Sequence, residues 1–334
     1  KAAVRYLKAN DKVMPGDAKK IISNGTSAGG AMSALLGATA DQKDYEKYLK
    51  ALGAADGSDK VFAVSAYCPI TDLDHADMAY EWQFNGVNDY KKMNISMLDY
   101  RVKRELVAGT LTDDEKKLSN LLKPLYPAYL NSLNLKSPEG KPLTLDAQGN
   151  GSFKNHIAGL LAQSAQAQLD AGKDLSDRTW LTVRKGKVVS VDFDAYAKVA
   201  GRQKTPPAFD GVDLSAGENQ LFGTNTVDKR HFTAFSMQHN TAANAEIADE
   251  ETIKIMNPLN YIGKPGVNLP QNWRIRVGTN DRDTSLAVSA VLAAKLQNNG
   301  QTVDYALPWD VGHGGDYDLD ELFAWIKQVS SSAK

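Results

Sequence analysis

Residues 24–40 read NGTSAGGAMSALLGATA, and the architecture of the chain follows from them. Their segment 25–29, GTSAG, matches the pattern G-x-S-x-G. The short segment Ala18–Asn24, with Ile21 and Ile22 at its centre, precedes the pattern and predicts a strand, while the small residues after the pattern predict a helix. In such a strand–turn–helix unit, a serine lies on a sharp and strained turn where its hydroxyl is exposed. The stretch therefore predicts that Ser27 is a nucleophile.

The residues beside Ser27 fit that role. We expect Gly25 and Gly29 to leave room for the neighbouring backbone, and the helix N-terminus to aim the N–H of Ala28 at a developing oxyanion. A phosphate-binding loop is excluded because no lysine follows the glycines, as that motif requires. A glycine-rich turn without chemistry stays the alternative.

A hydroxyl nucleophile needs a base, and the base needs an acid that orients it. His313 lies in the segment 311–316, VGHGGD, between the last predicted strand and the last predicted helix. Asp281 lies in the loop 278–281, GTND, after another predicted strand. The chain order Ser27, Asp281, His313 is that of α/β-hydrolases. We predict a catalytic triad at the carboxyl ends of the strands, with a surface histidine and an unrelated turn aspartate as the alternative.

Other segments predict the sheet that carries these residues. The apolar run Val61–Ala66 suits a buried parallel strand, and a helix is predicted over residues 41–55 before it. The α/β pattern returns near residue 256. Helices are predicted at residues 1–10, Thr284–Asn298 (with Thr284 as N-cap) and Leu319–Ser330, and strands at Trp273–Val277 and Thr302–Ala306.

The middle of the chain is too long for the sheet alone. Ser27 and Asp281 are 254 residues apart, far more than strand–helix–strand units between them require. We therefore predict an α/β-hydrolase fold, with a mostly parallel sheet and helices on both faces, at 1–75 and 256–334. An inserted, mainly helical cap domain is predicted at 76–255. Within it we expect a surface loop at 137–152, a β-hairpin at 180–193, and helices at Ser96–Leu106, Thr112–Leu122, Tyr126–Leu133 and Ile157–Asp170.

Composition excludes several classes of protein. The chain has 334 residues, with Lys+Arg 39 against Asp+Glu 40, so it lacks the basic excess of a nucleic-acid binder. No apolar run approaches the roughly 20 residues that span a membrane. The single cysteine, Cys68, excludes a disulfide framework and is expected to be an inert small hydrophobe. No cofactor is predicted, and the compartment stays open between a secreted and a cytoplasmic bacterial enzyme.

Longer strings of the sequence resemble the bacterial tannases (tannin acylhydrolases), which are α/β-hydrolase-fold esterases that cleave galloyl esters. The strings, in chain order, are NGTSAGGAMSALLGATA (24–40), AYCPITDLDHADMAYEW (66–82), KTPPAFDGVDLSAGE (204–218), GTNDRDTSLAV (278–288) and GHGGDYD (312–318). The resemblance implies Ser27 as nucleophile, His313 as base and Asp281 as the acid that orients it. It also implies a small phenolic ester as the substrate.

The resemblance extends to recognition of the phenolic ring. In the family, a lysine and a glutamate from the cap, with an aspartate two residues after the triad acid, grip the three galloyl hydroxyls. It assigns those roles here to Lys204, Glu218 and Asp283. Charge-assisted hydrogen bonds of this kind are about twice as strong as neutral ones. The charge pattern by itself would favour solvated surface groups at these three positions.

The family's sheet also contains strands before the nucleophile strand, one of whose loops donates the second oxyanion N–H. This chain begins one predicted helix before the Ser27 strand. We therefore expect those N-terminal strands to be missing from it. An N-terminal fragment of the same enzyme is the expected partner, since it would cover an otherwise exposed sheet edge.

Two groups of residues are left out of the predicted site. Asp74, His75 and Asp77 resemble metal ligands, but no convincing fourth ligand accompanies them, so no metal is predicted. Tyr80 and Trp82 are expected in the core of the cap rather than against substrate.

Other functions are compatible with the same residues. A feruloyl or other hydroxycinnamoyl esterase would use the triad with a differently tuned pocket, and a serine peptidase would use the same fold. A non-catalytic protein that binds phenols on a hydrolase scaffold is the alternative from another class. The methoxy group of ferulate cannot donate a hydrogen bond to Glu218 or Asp283. Turnover of matched gallate and ferulate esters therefore distinguishes a galloyl esterase from a feruloyl esterase.

Overall fold

A computed structural model describes residues 1–98 and 101–332. The strands among them are β1 (Ile22–Thr26), β2 (Ala63–Tyr67), β3 (Asp89–Leu98), β4 (Arg101–Thr110), β5 (Leu181–Arg184), β6 (Lys187–Val191), β7 (Asn272–Arg276) and β8 (Thr302–Ala306). The α-helices are α1 (Ala2–Ala9), α2 (Ala28–Ala38), α3 (Glu46–Ala51), α4 (Leu73–Phe84), α5 (Asp113–Leu122), α6 (Tyr126–Ser132), α7 (Ser152–Asp170), α8 (Phe193–Ala200), α9 (Gly217–Leu221), α10 (Ala234–Gln238), α11 (Glu250–Ile255), α12 (Leu286–Asn298) and α13 (Leu319–Ser332). Short 3-10 helices lie at Ala18–Lys20, Lys43–Tyr45, Lys123–Leu125 and Pro258–Asn260.

The central sheet is parallel, as predicted for an α/β-hydrolase. Within the described residues its strand order is β1-β2-β7-β8, and every neighbouring pair is parallel. All five residues of β2 are buried, which confirms the prediction from the apolar run. The carboxyl ends of these strands meet at one edge of the sheet, so the loops that follow them lie close together.

The core of the sheet forms around β7 and its flanking helices. Trp273 and Ile275 are fully buried. Helix α12 is buried along nearly its whole length, which is typical of a helix packed on several sides. Helix α2 packs against β1 and β2. None of the helices in the described part of the chain is long and apolar enough to cross a membrane.

The segment between β2 and β7 contains most of the helices and two antiparallel hairpins, β3–β4 and β5–β6. It has a core of its own, in which Phe222 stacks on Phe232 with ring centroids 4.3 Å apart. A buried ion pair joins its parts, because Arg202 Nη2 donates to Glu81 Oε1 at 2.5 Å and both side chains are fully buried. The predicted hairpin at 180–193 and the predicted helices beginning at Thr112 and Tyr126 are confirmed.

The predicted helix at Ser96–Leu106 is wrong. Ten-residue strands, β3 and β4, pair there instead, from Asp89 with Thr110 to Leu98 with Arg101. Residues 99 and 100 of that prediction lie outside the described residues. The helical pattern of apolar residues in this short segment is weaker than the hydrogen bonding between the two strands. β-Branched side chains at positions such as Ile95 also favour a strand.

Smaller corrections concern element ends. The strand predicted at Ala18–Asn24 begins later, at Ile22, because Asp17 accepts from the N–H of Lys19 and caps a short 3-10 helix there. The helix predicted over 41–55 is shorter, in two pieces that end before Gly53. Helix α12 is capped by Ser285, not by the predicted Thr284, since the Ser285 side chain accepts from the N–H of Ala287.

At the turn between β1 and α2, the backbone of the turn and of the first helical residues lies directly against the backbone at the end of β2. Ser27 has φ 59° and ψ −116°, a strained conformation for a residue other than glycine, and its N–H donates to Tyr67 O at 2.9 Å. A Cβ on Gly25 would lie 2.2 Å from Gly29 O, and one on Gly30 would lie 2.5 Å from Tyr67 O. A Cβ on Gly29 would meet no atom within 4 Å. The residue that leaves room for the neighbouring backbone is therefore Gly30, not Gly29 as the sequence predicted.

Alanine substitutions at the two adjacent glycines should have different effects on the free energy of unfolding. We expect Gly30→Ala to lower the free energy of unfolding by about 1–3 kcal/mol, because its methyl group would press on the rigid β2 backbone. Gly29→Ala should leave the free energy of unfolding unchanged or raise it by up to about 1 kcal/mol, since alanine favours a helix. Urea denaturation of the two variants measures both values, and equal losses would contradict this account of the turn.

Candidate active site

The structure brings together the three residues predicted as a triad. His313 Nε2 lies 2.7 Å from Ser27 Oγ, and His313 Nδ1 lies 2.9 Å from Asp281 Oδ2. Asp281 is fully buried, and its other carboxylate oxygen accepts from the N–H of Asp283 at 2.9 Å. The carboxylate can therefore hold the imidazole in one orientation while the other ring nitrogen faces the serine hydroxyl.

The sheet explains why residues so distant in sequence meet. Ser27 follows β1, Asp281 lies in the loop after β7, and His313 lies in the loop after β8. The three strands belong to one parallel sheet, so their carboxyl ends share an edge. Ala28 is the first residue of α2, and the first N–H groups of a helix have no acceptor within it. That N–H can donate to an oxyanion formed at Ser27.

The surroundings of His313 favour its charged form. Burial by itself would lower the pKa of the imidazole, but the hydrogen bond with Asp281, the contact with Cys68 and the negative charges of Asp281 and Asp283 raise it above its ordinary value. Asp283 Oδ2 lies 3.5 Å from His313 Nε2. An imidazolium formed when the serine loses its proton is thus stabilised by two carboxylates.

The three residues assigned to ring recognition also come together. Lys204 Nζ lies 3.4 Å from Asp283 Oδ2 and 3.7 Å from Glu218 Oε1. Lys204 Nζ also lies 4.1 Å from the centre of the Phe209 ring, within the range of a cation–π contact. All three charged side chains are largely, but not fully, buried, with exposed fractions of 16–24%. The cluster is accessible to a ligand and presents both donors and acceptors.

Buried groups hold the backbone of Lys204. The hydroxyl of Tyr80 accepts from the N–H groups of Gln203 and Lys204 at 3.0 Å each, and it donates to Arg282 O at 2.8 Å. Arg202, paired with Glu81, also donates to Lys204 O at 3.2 Å. Tyr80 and Trp82 are both buried, so their predicted place in the core is confirmed, and the Tyr80 hydroxyl adds a positioning contact that the sequence did not indicate.

A second buried network holds the segment that carries Glu218. The carboxylate of Asp210, fully buried, accepts from Asn219 Nδ2 at 2.8 Å and lies 2.7 Å from His231 Nδ1. Asp77 accepts from the N–H of Phe209 at 2.6 Å, and burial together with the charge of Asp210 raises the pKa of Asp77 to about 8. Asp77 therefore belongs to this network.

Asp74 and His75 form a different cluster with Asp72. His75 Nδ1 lies 2.8 Å from Asp72 Oδ1, and the Asn257 side-chain amide donates to both Asp72 and Asp74. Tyr129 stacks on His75 and donates to Asp72 at 2.6 Å. These atoms could surround a cation, but each already has a hydrogen-bond partner within the protein.

A cavity of about 1000 Å³ lies over Ser27 and reaches Lys204, Glu218 and Asp283, which we call the ring-recognition cluster after the role that the resemblance assigns to them. Strands β3 and β4 line one side of it, through Lys92, Met93, Ile95, Arg104 and Leu106. The sequence pattern did not indicate this wall, because it predicted a helix over part of the segment. The alternation of apolar and polar residues along β3 was the signal that could have shown it.

Cys68 lies in the site, although the sequence indicated only an inert apolar residue. It is buried, with Sγ 3.9 Å from His313 Nε2 and 3.4 Å from Gly314 O. Its position immediately after β2, at the same sheet edge as Ser27, Asp281 and His313, was the available signal.

The chain is similar to solved tannase structures. It is 47% identical to a tannase from Lactobacillus plantarum, with 98% of this chain and 70% of that chain covered and a TM-score of 0.95. It is 52% identical to a Fusobacterium nucleatum tannase, with coverages of 98% and 71% and a TM-score of 0.93. A tannin acyl hydrolase in complex with ethyl gallate is 47% identical, with coverages of 98% and 69% and a TM-score of 0.91.

The BD-FAE family model matches residues 1–115, which include Ser27 and the first two strands of the sheet. No curated protein sequence matches the chain.

Loss of the Asp283 charge should be visible at His313. We expect Asp283→Asn to lower the pKa of the His313 imidazole, by about 1, because a nearby carboxylate favours the protonated ring and an amide does not. NMR titration of the imidazole nitrogens, assigned with His313→Gln, measures the pKa. Asp170→Asn, at the end of α7, removes the same charge elsewhere and should leave it unchanged. An unaltered pKa in Asp283→Asn would contradict the proposed contact.

Proposed function

The chain belongs to the bacterial tannase family, and on that premise we propose that it is a serine esterase that hydrolyses galloyl esters of tannins and simple gallate esters. One observation carries the proposal most directly. Asp283 Oδ2 lies 3.5 Å from His313 Nε2 and 3.4 Å from Lys204 Nζ. The ring-recognition cluster is therefore in direct contact with the histidine that faces Ser27. A ring held by the cluster would place its attached carbonyl beside Ser27.

Acylation begins when Ser27 Oγ attacks the ester carbonyl carbon. His313 Nε2 takes the hydroxyl proton, and Asp281 stabilises the imidazolium through Nδ1. The carbonyl oxygen becomes an oxyanion, to which the N–H of Ala28 donates. The tetrahedral intermediate collapses as the carbon–oxygen bond to the alcohol breaks. His313 gives its proton to the departing alcohol, and a galloyl-serine ester remains.

Deacylation repeats these steps with water. His313 removes a proton from the water as its oxygen attacks the galloyl carbonyl. The new tetrahedral intermediate collapses, and the proton on His313 returns to Ser27 Oγ. Gallic acid leaves, and the site is regenerated without a cofactor.

Ring recognition follows from the charges of the cluster. Phenolic hydroxyls can donate to the carboxylates of Glu218 and Asp283 and accept from the ammonium of Lys204. A substrate that lacks a hydroxyl leaves a charged group poorly paired, at a cost of about 1–3 kcal/mol for each group. The cluster would thus select gallate over acids with fewer hydroxyls.

We also propose that residues 76–255 act as the cap of this site, with 1–75 and 256–334 as the catalytic domain. The segment supplies Lys204 and Glu218 and the β3–β4 wall of the cavity. Helix α4 begins before residue 76, so one helix runs continuously from the sheet edge into the cap.

The nucleophile is tested with matched esters. Wild-type protein should release acid from methyl gallate, and Ser27→Ala should reduce that rate by at least about a thousandfold, because the covalent route is lost. Ser23→Ala, on the same strand, removes a hydroxyl that has no hydrogen-bond partner among the described residues, and it serves as control. Full activity in Ser27→Ala would refute the serine mechanism.

Methyl ferulate, assayed in parallel, separates a gallate esterase from a broader phenolic-acid esterase. Turnover of methyl gallate alone supports the proposal. Equal turnover of both esters would move the function to a hydroxycinnamoyl esterase.

Lys204 is tested by hydroxyl selectivity. We expect Lys204→Met to lower kcat/KM for methyl gallate by about 10–100-fold, and to change kcat/KM for methyl benzoate much less, because benzoate has no hydroxyl to pair with the ammonium. Lys198→Met, on the exposed side of α8, is the matched control. A parallel fall for both esters in Lys204→Met would instead indicate a structural role for the lysine.

A further inference from the structure

The β3–β4 hairpin places the positive charge of Arg104 in the active-site cavity. Arg104 lines the cavity, and among the residues that the structure describes its guanidinium has no ion pair or hydrogen bond. The neighbouring Lys103, by contrast, lies 3.7 Å from Glu105. Arg104 is exposed in the cavity. Since an arginine fork pairs bidentately with carboxylates, its free guanidinium can bind an anionic ligand there.

The pairing of the strands shows which face Arg104 shares. Ile95 lies opposite Arg104, and Met93 lies opposite Leu106, in the antiparallel register. Directly opposed residues project to the same side of a sheet, and residues two apart along a strand do so too. All four line the cavity, as does Lys92 near the base of β3, whereas Asn94 and Glu105, which alternate with them, do not. Around Ile95 this side of the hairpin is therefore an apolar surface beside one cation, Arg104.

This surface lies away from the ring-recognition cluster. The hairpin touches the segment of Lys204 near its base, where Lys91 N donates to Arg202 O at 3.0 Å. Ile95 is four residues further along β3, or about 13 Å at the rise of a strand, and Arg104 lies beside it. The ring and Arg104 would therefore contact different parts of one substrate.

The charges of the cavity wall also favour an anionic group on the substrate. Among the described lining residues, four cations, Lys92, Arg104, Lys204 and Arg282, stand against the carboxylates of Glu218 and Asp283. Lys204 lies within 3.7 Å of both carboxylates, so the positive excess belongs to the rest of the wall. A neutral galloyl ring does not balance this excess. At about 1000 Å³, the cavity also has room for more than one ring, at the upper end of the range for sites that bury a drug-sized ligand.

We propose that the inner face of the β3–β4 hairpin is the subsite for the alcohol half of the ester, and that Arg104 selects alcohols that carry a carboxylate. The preferred substrate class is then the galloyl esters of hydroxy acids. Met93, Ile95 and Leu106 pack against the carbon skeleton of the alcohol, and the guanidinium of Arg104 pairs with its carboxylate. This inference rests on the proposed galloyl esterase function and defines the half of the substrate that the triad releases.

The test uses two nearly isosteric galloyl esters, galloyl glycolate, which carries a carboxylate, and galloyl glycolamide, which is neutral. The measured quantity is the ratio of kcat/KM for the glycolate to kcat/KM for the glycolamide. Comparing that ratio between variants cancels the difference in leaving-group reactivity. We expect Arg104→Gln to lower the ratio about tenfold, and Arg104→Lys to restore part of it, because charge is regained without the bidentate geometry.

Lys103→Gln is the matched control, since it removes a cation from the adjacent, outward-facing position of the same strand. Its ratio should equal that of the wild type. An unchanged ratio in Arg104→Gln, or an equal fall in Lys103→Gln, would overturn the subsite. Ethyl gallate separates this failure from failure of the proposed function. If wild-type protein hydrolyses ethyl gallate, only the subsite falls, and if it hydrolyses no galloyl ester, both fall.

Discussion

The close contact between the start of α2 and the end of β2 is the constraint on which the site depends. Ser27 is held at a positive φ because the chain must turn sharply from β1 into the helix while its N–H bonds to Tyr67 O. The helix can approach only because residue 30 has no side chain. Burial of the surrounding sheet and helices offsets the strain, so the packing of the fold keeps the hydroxyl at the sheet edge.

In the proposed enzyme, the loop after β7 connects two tasks, orientation of the base and recognition of the ring. Asp281 orients His313, and Asp283, two residues later, contacts both His313 and Lys204. The N–H of Asp283 also donates to the Asp281 carboxylate, so the two acids hold one another in place. Any ligand that changes the pairing of Asp283 therefore also changes the electrostatic environment of the imidazole. In the proposed enzyme, recognition of the ring and activation of the serine are physically coupled.

The positions of Lys204 and Glu218 depend on buried polar groups in the segment between β2 and β7. Lys204 is held through Tyr80 and Arg202, and the helix of Glu218 through Asp210. Each network brings together groups that are far apart in sequence. Such groups are expensive to bury without partners, and this explains why the side chains of Arg202 and Asp210 each make several hydrogen bonds. The inserted segment thus works as a rigid frame that presents two charged side chains to the sheet edge.

The sequence by itself determined the parallel sheet, the sharp strand-to-helix turn at Ser27 and the chain order of the three predicted triad residues, because these depend on local patterns and chain order. Resemblance to a family added Lys204, Glu218 and Asp283, which no local pattern distinguishes from surface charge. Only the tertiary structure decided that Ser96–Leu106 belongs to a hairpin, that Gly30 rather than Gly29 makes the close contact, and that Cys68 touches His313. Those features depend on contacts between residues distant in the chain, and the energy of such contacts exceeds the small local preferences that a sequence pattern reports.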